Sequence, residues 1–350
     1  MIKTKTLNMA LLSLGLLLFA FLVYRIDPAA IAVHFRALGW RLILLLLPYA
    51  FGYFFFTLGW KATLADGASV PFPKLFLIRQ AGEAINSLTF SASLGGEPVK
   101  TYLLRSCRVP LEKGLTSIVV TKTAMTLAQM TFTVIGVILT VRQIGLKSPF
   151  LAFSAALVMA WIPAMAFFII IQRQGLFAGL LQPAKRLSFL KTWLQRWGER
   201  INDLDRQIAA FYTKDARSLV LSYGLHLGGW MVQSLEVYWL LSFLKLPVDL
   251  PTALAVQGLS VLTKAAAFVI PGALGVQEGG NLLIFLGFSL PVEAGMTFSL
   301  VRRGRELLWI GLGLAMLARY SLQGQERDAG IRSVVGVSQE KGRDALDGMK

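Results

Sequence analysis

Cysteine and histidine are nearly absent from this chain. Its 350 residues include one cysteine, Cys107, and two histidines, His34 and His226. A lone cysteine excludes a disulfide framework and a thiolate-built zinc or iron–sulfur site. Two histidines far apart leave no basis for a histidine-rich metal site, and no metal or cofactor is expected. No Gly-x-Ser-x-Gly elbow surrounds Ser91 or Ser93, and no acid can be placed with His226 to complete a triad, so hydrolase chemistry is excluded. Walker and dinucleotide-binding glycine patterns are also missing, so nucleotide hydrolysis within this chain powers no transport. Charge is scarce: 15% of residues are charged, against about 25% in soluble domains. Acid is scarcest, with 19 Asp and Glu against 35 Lys and Arg, a net charge of +16.

What remains is apolar. Hydrophobic residues make up 55% of the chain and mean hydropathy is +0.61. There is too little polar surface to cover the chain in water, and it reads as an all-α polytopic membrane protein. In a soluble protein the positive charge would point to nucleic acid. Here it points to topology and to anionic lipid headgroups, and no nucleic-acid partner is expected.

A spanning helix needs about 20 apolar residues. Leu7–Tyr24, Trp40–Trp60, Leu115–Val141, Phe150–Ile171, Ser218–Leu244 and Val301–Leu317 qualify, with Trp40 and Trp60 as interfacial anchors. Leu7–Tyr24 is a retained first helix, because no small-x-small cleavage site precedes a soluble domain and more spans follow. Of the 35 basic residues, 23 fall in segments assigned inside and six in segments assigned outside. This bias sets the N-terminus and the C-terminal tail in the cytoplasm of a plasma (inner) membrane. The integral membrane domain covers 1–320. Within it, a helix at about 184–212 carries an apolar seam through Leu187, Leu190, Leu194, Trp197, Ile201, Leu204, Ile208 and Phe211. That helix packs under the bundle or in the headgroup layer, or pairs between chains. Residues 321–350 have no apolar period and are expected to form a disordered cytoplasmic tail.

Two further apolar stretches are interrupted. Leu75–Phe90 gives way to Ser91–Pro98 and then Val99–Cys107; Pro251–Ile270 gives way to Pro271–Gly280 and then Asn281–Leu290. At 1.5 Å per residue, the two arms of the first are only about 24 and 14 Å long, short of a core of about 30 Å. The expected fold is a helical bundle with two interrupted, re-entrant hairpins of inverted orientation, tipped near Gly95 and Gly275. Both tips contain Leu-Gly followed closely by a glutamate: Leu94-Gly95-Gly96-Glu97 and Leu274-Gly275-Val276-Gln277-Glu278. Interrupted helices in corresponding halves point to a binding site inside the membrane. Free N–H groups at the helix starts would suit phosphate, and Gly96 and Gly275 would be less replaceable than Gly145 in a loop.

Charged residues in spans are functional candidates by default. Lys122, Lys264 and Glu236 lie inside apolar runs, and Arg302, Arg303 and Arg305 open the last helix. The alternatives are internal ion pairs, such as Lys264 with Glu278 or Glu236, and interfacial snorkelling of the arginines. Glu83 and Asn86, three residues apart, either cap the first hairpin or line its cavity. With Lys100 set against Glu97, five cations face Glu236, Glu278 and Glu306. That excess suggests an exogenous anion, which arginine grips bidentately and lysine as a point charge.

The segment Gly82-Glu83-x-x-Asn86 … Leu94-Gly95-Gly96-Glu97-Pro98-Val99-Lys100 resembles the first motif of the lysylphosphatidylglycerol-synthase transmembrane, or flippase-like, family. Ile270-Pro271-Gly272-Ala273-Leu274-Gly275-Val276-Gln277-Glu278 resembles its second motif. Lys122 and Arg305 fit its basic positions. Phe90 stands where a proline is common, and Lys100 where arginine is. The resemblance covers roughly residues 5–320, and its details are compatible with the branch associated with hopanoid biosynthesis. It implies a transporter or flippase that moves an anionic phospholipid or a polyprenyl or isoprenoid lipid between leaflets. The implied headgroup-binding residues are Asn86, Gly95, Gly96, Glu97, Lys100, Lys122, Lys264, Pro271, Gly272, Gly275, Glu278, Arg302 and Arg305. Only the tail follows the last helix, so no synthase activity is expected. Two other classes remain open. One is a non-transporting partner that presents lipid to a separate biosynthetic enzyme; the other is a membrane-embedded lipid transferase using Glu97 or Glu278 as base.

Overall fold

The computed structural model describes residues 28–64, 70–89, 95–145, 202–211, 215–266 and 273–347, with isolated positions in 17–24, 159–171 and at 199; side chains are described to Tyr320. Every regular element among them is a helix. In chain order these are α1 (Pro28–Leu38), α2 (Arg41–Leu44), α3 (Leu47–Ala62), α4 (Phe72–Leu88), α5 (Gly96–Arg105), α6 (Leu111–Ile144), α7 (Ala216–Phe243), α8 (Leu250–Ala266), α9 (Val276–Gly287) and α10 (Val292–Asp347). Leu7–Tyr24, Phe150–Ile171, the seam before residue 202 and the tip residues 90–94 and 267–272 lie wholly or mostly outside the described residues.

Proline and glycine set many of the boundaries. Pro48 lacks an N–H and its ring would meet the carbonyl of Leu44, which is where α2 stops before α3 begins. Pro71 and Pro110 stand immediately before α4 and α6, and Pro98 falls in the first turn of α5. Gly39 and Gly145, at φ +47° and +76°, follow the ends of α1 and α6 in the left-handed region. Two helical runs, Arg41–Ala62 and Leu111–Ile144, are each long and apolar enough to cross a bilayer.

Both interrupted stretches are pairs of helices. In the first, Asn86 meets Gly96 and Gly82 meets Lys100, so α4 and α5 run antiparallel. In the second, Ser260 meets Asn281 and Thr263 meets Gly280, so α8 and α9 do the same. Between the pairs stands α6. Lys122 with Glu97, and Gly114 with Leu104, run it antiparallel to α5. Gly136 against Gly258, and Gln143 with Thr252, run it antiparallel to α8. At the Gly136–Gly258 crossing a Cβ on either glycine would sit 2.9 Å from the other's Cα, the close backbone approach that small residues allow between helices in lipid. Helices α3 and α7 lock in the same way, Gly52 and Gly59 receiving Gln233 and His226, and Gly229 receiving Phe56. The largest apolar cluster joins α1, α7, α8, α9 and α10 around Leu240, Val256, Phe285 and Phe298.

The structure corrects several sequence expectations. The last helix begins at Val292, not Val301, so Arg302 lies about 15 Å along it and does not open it. Thr297 and Ser299 had lowered the apolarity of that first stretch, but they face inward at 0% and 2% exposure. Arg302 and Arg305 are each 3% exposed, which excludes snorkelling to the headgroups. Trp60 is not an interfacial anchor: it is 2% exposed and its Nε1 donates to Ser117 Oγ at 3.3 Å. Arg79 and Lys100, counted with the inside-loop cations, are buried in the bundle, which reduces 23 to 21 against six without reversing the bias. Gly145 is no ordinary loop glycine, since its φ of +76° disfavours any side chain. From residue 321, where disorder is expected, the chain continues α10 as helix to Asp347. No proline interrupts that stretch, and Asp328 lies four residues before Arg332, a helix-favouring spacing. Residues 202–211 are helical, with Leu204 and Ile208 buried and Thr116 Oγ1 on α6 3.4 Å from Gln207 Oε1.

Candidate functional site

The predicted site residues that are described divide between two regions. The first surrounds the start of α5. Asn86, near the end of α4, accepts the Gly96 N–H through Oδ1 at 2.7 Å. Its Nδ2 lies 3.3 Å from Glu97 Oε1. A Cβ on Gly96 would strike the Gly82 carbonyl, so this crossing needs glycine for closeness and not for a special φ. Arg79, Glu83 and Asn86 follow one another by four and three residues and share a face of α4. Lys100 Nζ, 7% exposed, reaches Glu83 at 2.7 Å and Glu97 at 3.1 Å. Lys122 on α6 reaches Glu97 Oε1 at 3.1 Å. Arg79, 5% exposed, donates to Gln80 Oε1 at 2.8 Å and stacks over Tyr53 and Phe56, with ring centroids at 5.0 and 5.2 Å. It makes no carboxylate ion pair among the described residues. These groups line a small pocket closed by Phe56, Trp60, Ile118, Thr121, Met125 and His226.

The second region is sealed. Glu236 on α7 is wholly buried and bonds Arg305; Arg302 Nε lies 3.5 Å from its other oxygen. Arg302 donates to Ser260 at 2.6 Å, Gln257 at 2.6 Å and Tyr49 at 2.8 Å. Arg305 lies 3.1 Å over the Tyr49 ring. Ser260 then bonds Asn281, whose Nδ2 donates to Ser299 at 2.9 Å. This network ties α3, α7, α8, α9 and α10 together. Beside it, Glu278 accepts the Gly275 N–H at 2.7 Å and Arg303 Nε at 2.6 Å. Gly275 has φ +75°. Glu306 pairs with Arg303 at 3.1 Å and with Lys264, whose side chain is 51% exposed.

Three sequence readings change here. The N–H groups at the tips, expected to await phosphate, are in part already held: Gly96 N–H, at the start of α5, by Asn86, and Gly275 N–H, just before α9, by Glu278. Lys264 pairs with Glu306, not with Glu278 or Glu236. Lys100, Lys122, Lys264 and Arg305 do not share one groove. Asn86 and Glu83 do both jobs that the sequence left open, Asn86 capping α5 and Glu83 lining the pocket. Pro271 and Gly272 lie outside the described residues. Sequence reasoning missed Arg79, whose spacing to Glu83 and Asn86 was the available signal. It also missed Tyr49, Tyr53 and Phe56, an aromatic stripe on α3 at helical spacing that reads as plain core.

The charge balance moves with the geometry. In the second region Arg302, Arg303 and Arg305 face Glu236, Glu278 and Glu306, three against three, with the half-exposed Lys264 a further cation beside Glu306. In the first, Arg79, Lys100 and Lys122 face Glu83 and Glu97, three against two. Among the described residues, the pocket lining thus holds one cation more than carboxylates. Among the described residues no group of side chains is suited to hold a metal ion.

Residues 8–314 match the family described as the lysylphosphatidylglycerol synthase TM region. The chain is also 26% identical over 257 residues to a UPF0104 membrane protein of Methanothermobacter thermautotrophicus, an alignment spanning 69% of this chain and 74% of that protein. No solved structure matches.

Proposed function

The chain belongs to the lysylphosphatidylglycerol synthase TM region family, a family of membrane proteins, and from that premise we propose that it moves a lipid with an anionic headgroup between leaflets. The headgroup is taken in the pocket between α4, α5 and α6, and the acyl or isoprenoid chains stay in lipid. The observation that carries this reading is the pocket's charge: among the described residues three cations, Arg79, Lys100 and Lys122, line it with two carboxylates, Glu83 and Glu97. A buried cation without its own counter-charge costs several kcal/mol in a membrane, and a phosphate diester would supply that charge. Arg79 and Lys122 are the cations to meet it, Arg79 because its planar fork suits phosphate. Lys100 stays engaged with both glutamates.

The same reading gives the hairpins opposite orientations. Three antiparallel packings in series support it: α4 on α5, α5 on α6, and α6 on α8. Taken in series they imply opposite senses for the entering arms α4 and α8, as a hairpin opening to each face of the membrane would require. Alternating access around such a pair is a known physical route for carrying a polar group across. The chain itself performs no covalent chemistry on the lipid.

The test is reconstitution. Purified protein in liposomes should move fluorescently labelled phosphatidylglycerol to the outer leaflet without any partner, leave the lipid chemically intact by mass spectrometry, and lose this activity in Lys122→Ala. Headgroup binding without movement would favour a protein that presents lipid to a separate enzyme. An altered lipid mass would favour a transferase.

A further inference from the structure

The pocket contains one group that the anion reading does not use. His226, on α7, is 2% exposed, lines the pocket and stacks on Phe56 at 5.5 Å between ring centroids. Its Nδ1 lies 2.7 Å from the Ser222 carbonyl oxygen. A carbonyl only accepts, so Nδ1 is the donor, and in the neutral ring Nε2 carries the lone pair. Nε2 has no hydrogen-bond partner among the described residues. The ring cannot turn away. The missing Cβ of Gly59 leaves the space its edge fills, and Phe56 covers its face. A fixed acceptor held at the pocket without a partner is costly to leave unsatisfied.

We infer that His226 is a specificity-determining residue: its Nε2 accepts a hydrogen bond from an O–H or N–H on the headgroup whose phosphate is held by Arg79 and Lys122. The ligand class is then a phosphate ester that also carries a donor. A hydroxylated headgroup and an ammonium headgroup both have that chemistry. A headgroup whose donors are all methylated does not, although its phosphate is the same. Glu83, on the same pocket, adds acceptor character and favours the same class. This inference rests on the proposed anion site.

The experiment uses the full-length protein in nanodiscs of stated lipid, with affinity measured by competition against labelled phosphatidylglycerol. Two lipid pairs hold the phosphate constant. One is phosphatidylglycerol against its O-methylated analogue, and the other is phosphatidylethanolamine against phosphatidylcholine. The wild type should prefer the donor-bearing member of at least one pair by roughly fivefold to tenfold, the worth of one hydrogen bond. The pair that responds identifies the donor as hydroxyl or ammonium. His226→Phe keeps the ring and its stacking but has no acceptor, and should bring the ratio to about one. His226→Gln, which can accept, should restore part of it. Equal wild-type binding within both pairs, which needs no variant, overturns the inference and leaves the anion site standing. A preference that persists in His226→Phe also overturns it. No binding of either member of the phosphatidylglycerol pair overturns both readings.

Discussion

The two interrupted helix pairs are built alike and sit in different surroundings. Each holds an N–H at the entry to its second helix with a side chain, Asn86 for Gly96 and Glu278 for Gly275. Each has lysine or arginine within reach of its glutamate, Lys100 for Glu97 and Arg303 for Glu278. Yet the first pair leaves its charges around a pocket with one cation in excess, and the second meets a network that is balanced and closed. Charge in a membrane interior therefore has two meanings here. Where it balances and every element contributes a partner, it joins helices. Where it does not balance, it lines a small pocket, and the proposed function places the headgroup there. The sequence motif is common to both cases and does not separate them.

The strongest way to break this contrast is to remove Glu236. Both Arg302 and Arg305 would lose their carboxylate in a site that is 3% exposed or less. Orphaning a buried ion pair costs about 3–5 kcal/mol, so Glu236→Ala should prevent accumulation of folded protein. Size-exclusion profiles and thermal unfolding in detergent check this. A monodisperse variant with wild-type stability would mean that the second region is no lock.

Glycine substitutions come next, and they separate two reasons for glycine. Gly96→Val should fail because its Cβ meets the Gly82 backbone, and Gly275→Val because of φ +75°. Gly224→Val is the proper control, with nothing near its Cβ and an ordinary φ. Overpacking costs about 1–3 kcal/mol, so the first two should lower the unfolding temperature by several degrees. The control should move little. Equal shifts at all three positions would count against the close-crossing account. Gly145, which also has positive φ, is unsuitable as a control.

How far the sequence reveals this molecule follows from what is local and what is not. The interruptions near Gly95 and Gly275 are written in Gly and Pro, and α5 and α9 begin there. Lys122 and Glu97 are visible as charges where lipid would penalise them, and they pair. Depth is less visible. The polar residues Thr297 and Ser299 hid the start of α10, so Arg302 and Arg305 read as entrance charges. Pairing is invisible. Nothing within α8 says that Lys264 prefers Glu306 on α10, because that choice depends on helix packing 42 residues away. Arg79 read as a loop cation because the apolar run around it is short, although its face on α4 is shared with Glu83 and Asn86.

A milder perturbation sharpens the comparison from the first pair. In Lys122→Ala, Glu97 keeps Lys100 at 3.1 Å and Asn86 at 3.3 Å, so its carboxylate is not orphaned. Stability should fall by no more than about 1 kcal/mol. Lipid transport should fall about tenfold or more, since a charge-assisted contact to phosphate is lost. This split, function lost and fold kept, is the reverse of what Glu236→Ala should give. Loss of both together would return Lys122 to a purely structural role.

The smallest expected effect concerns Lys264, which the sequence ranked beside Lys122. Both are lysines in apolar helices, and both reach a glutamate on another helix. They differ in surroundings. Lys264 is 51% exposed, lines no part of the pocket, and its partner Glu306 retains Arg303 at 3.1 Å. Removing the ammonium therefore leaves neither a stranded carboxylate nor an empty anion site. Exposed pairs contribute about 0.2–1 kcal/mol, so Lys264→Ala should shift the unfolding temperature by a degree or two and leave lipid transport within twofold of wild type. Unfolding and transport measured side by side on Lys122→Ala and Lys264→Ala decide the matter. If Lys264→Ala abolishes transport while the protein stays folded, the headgroup path extends to the second hairpin, and the division between a binding region and a locking region is wrong.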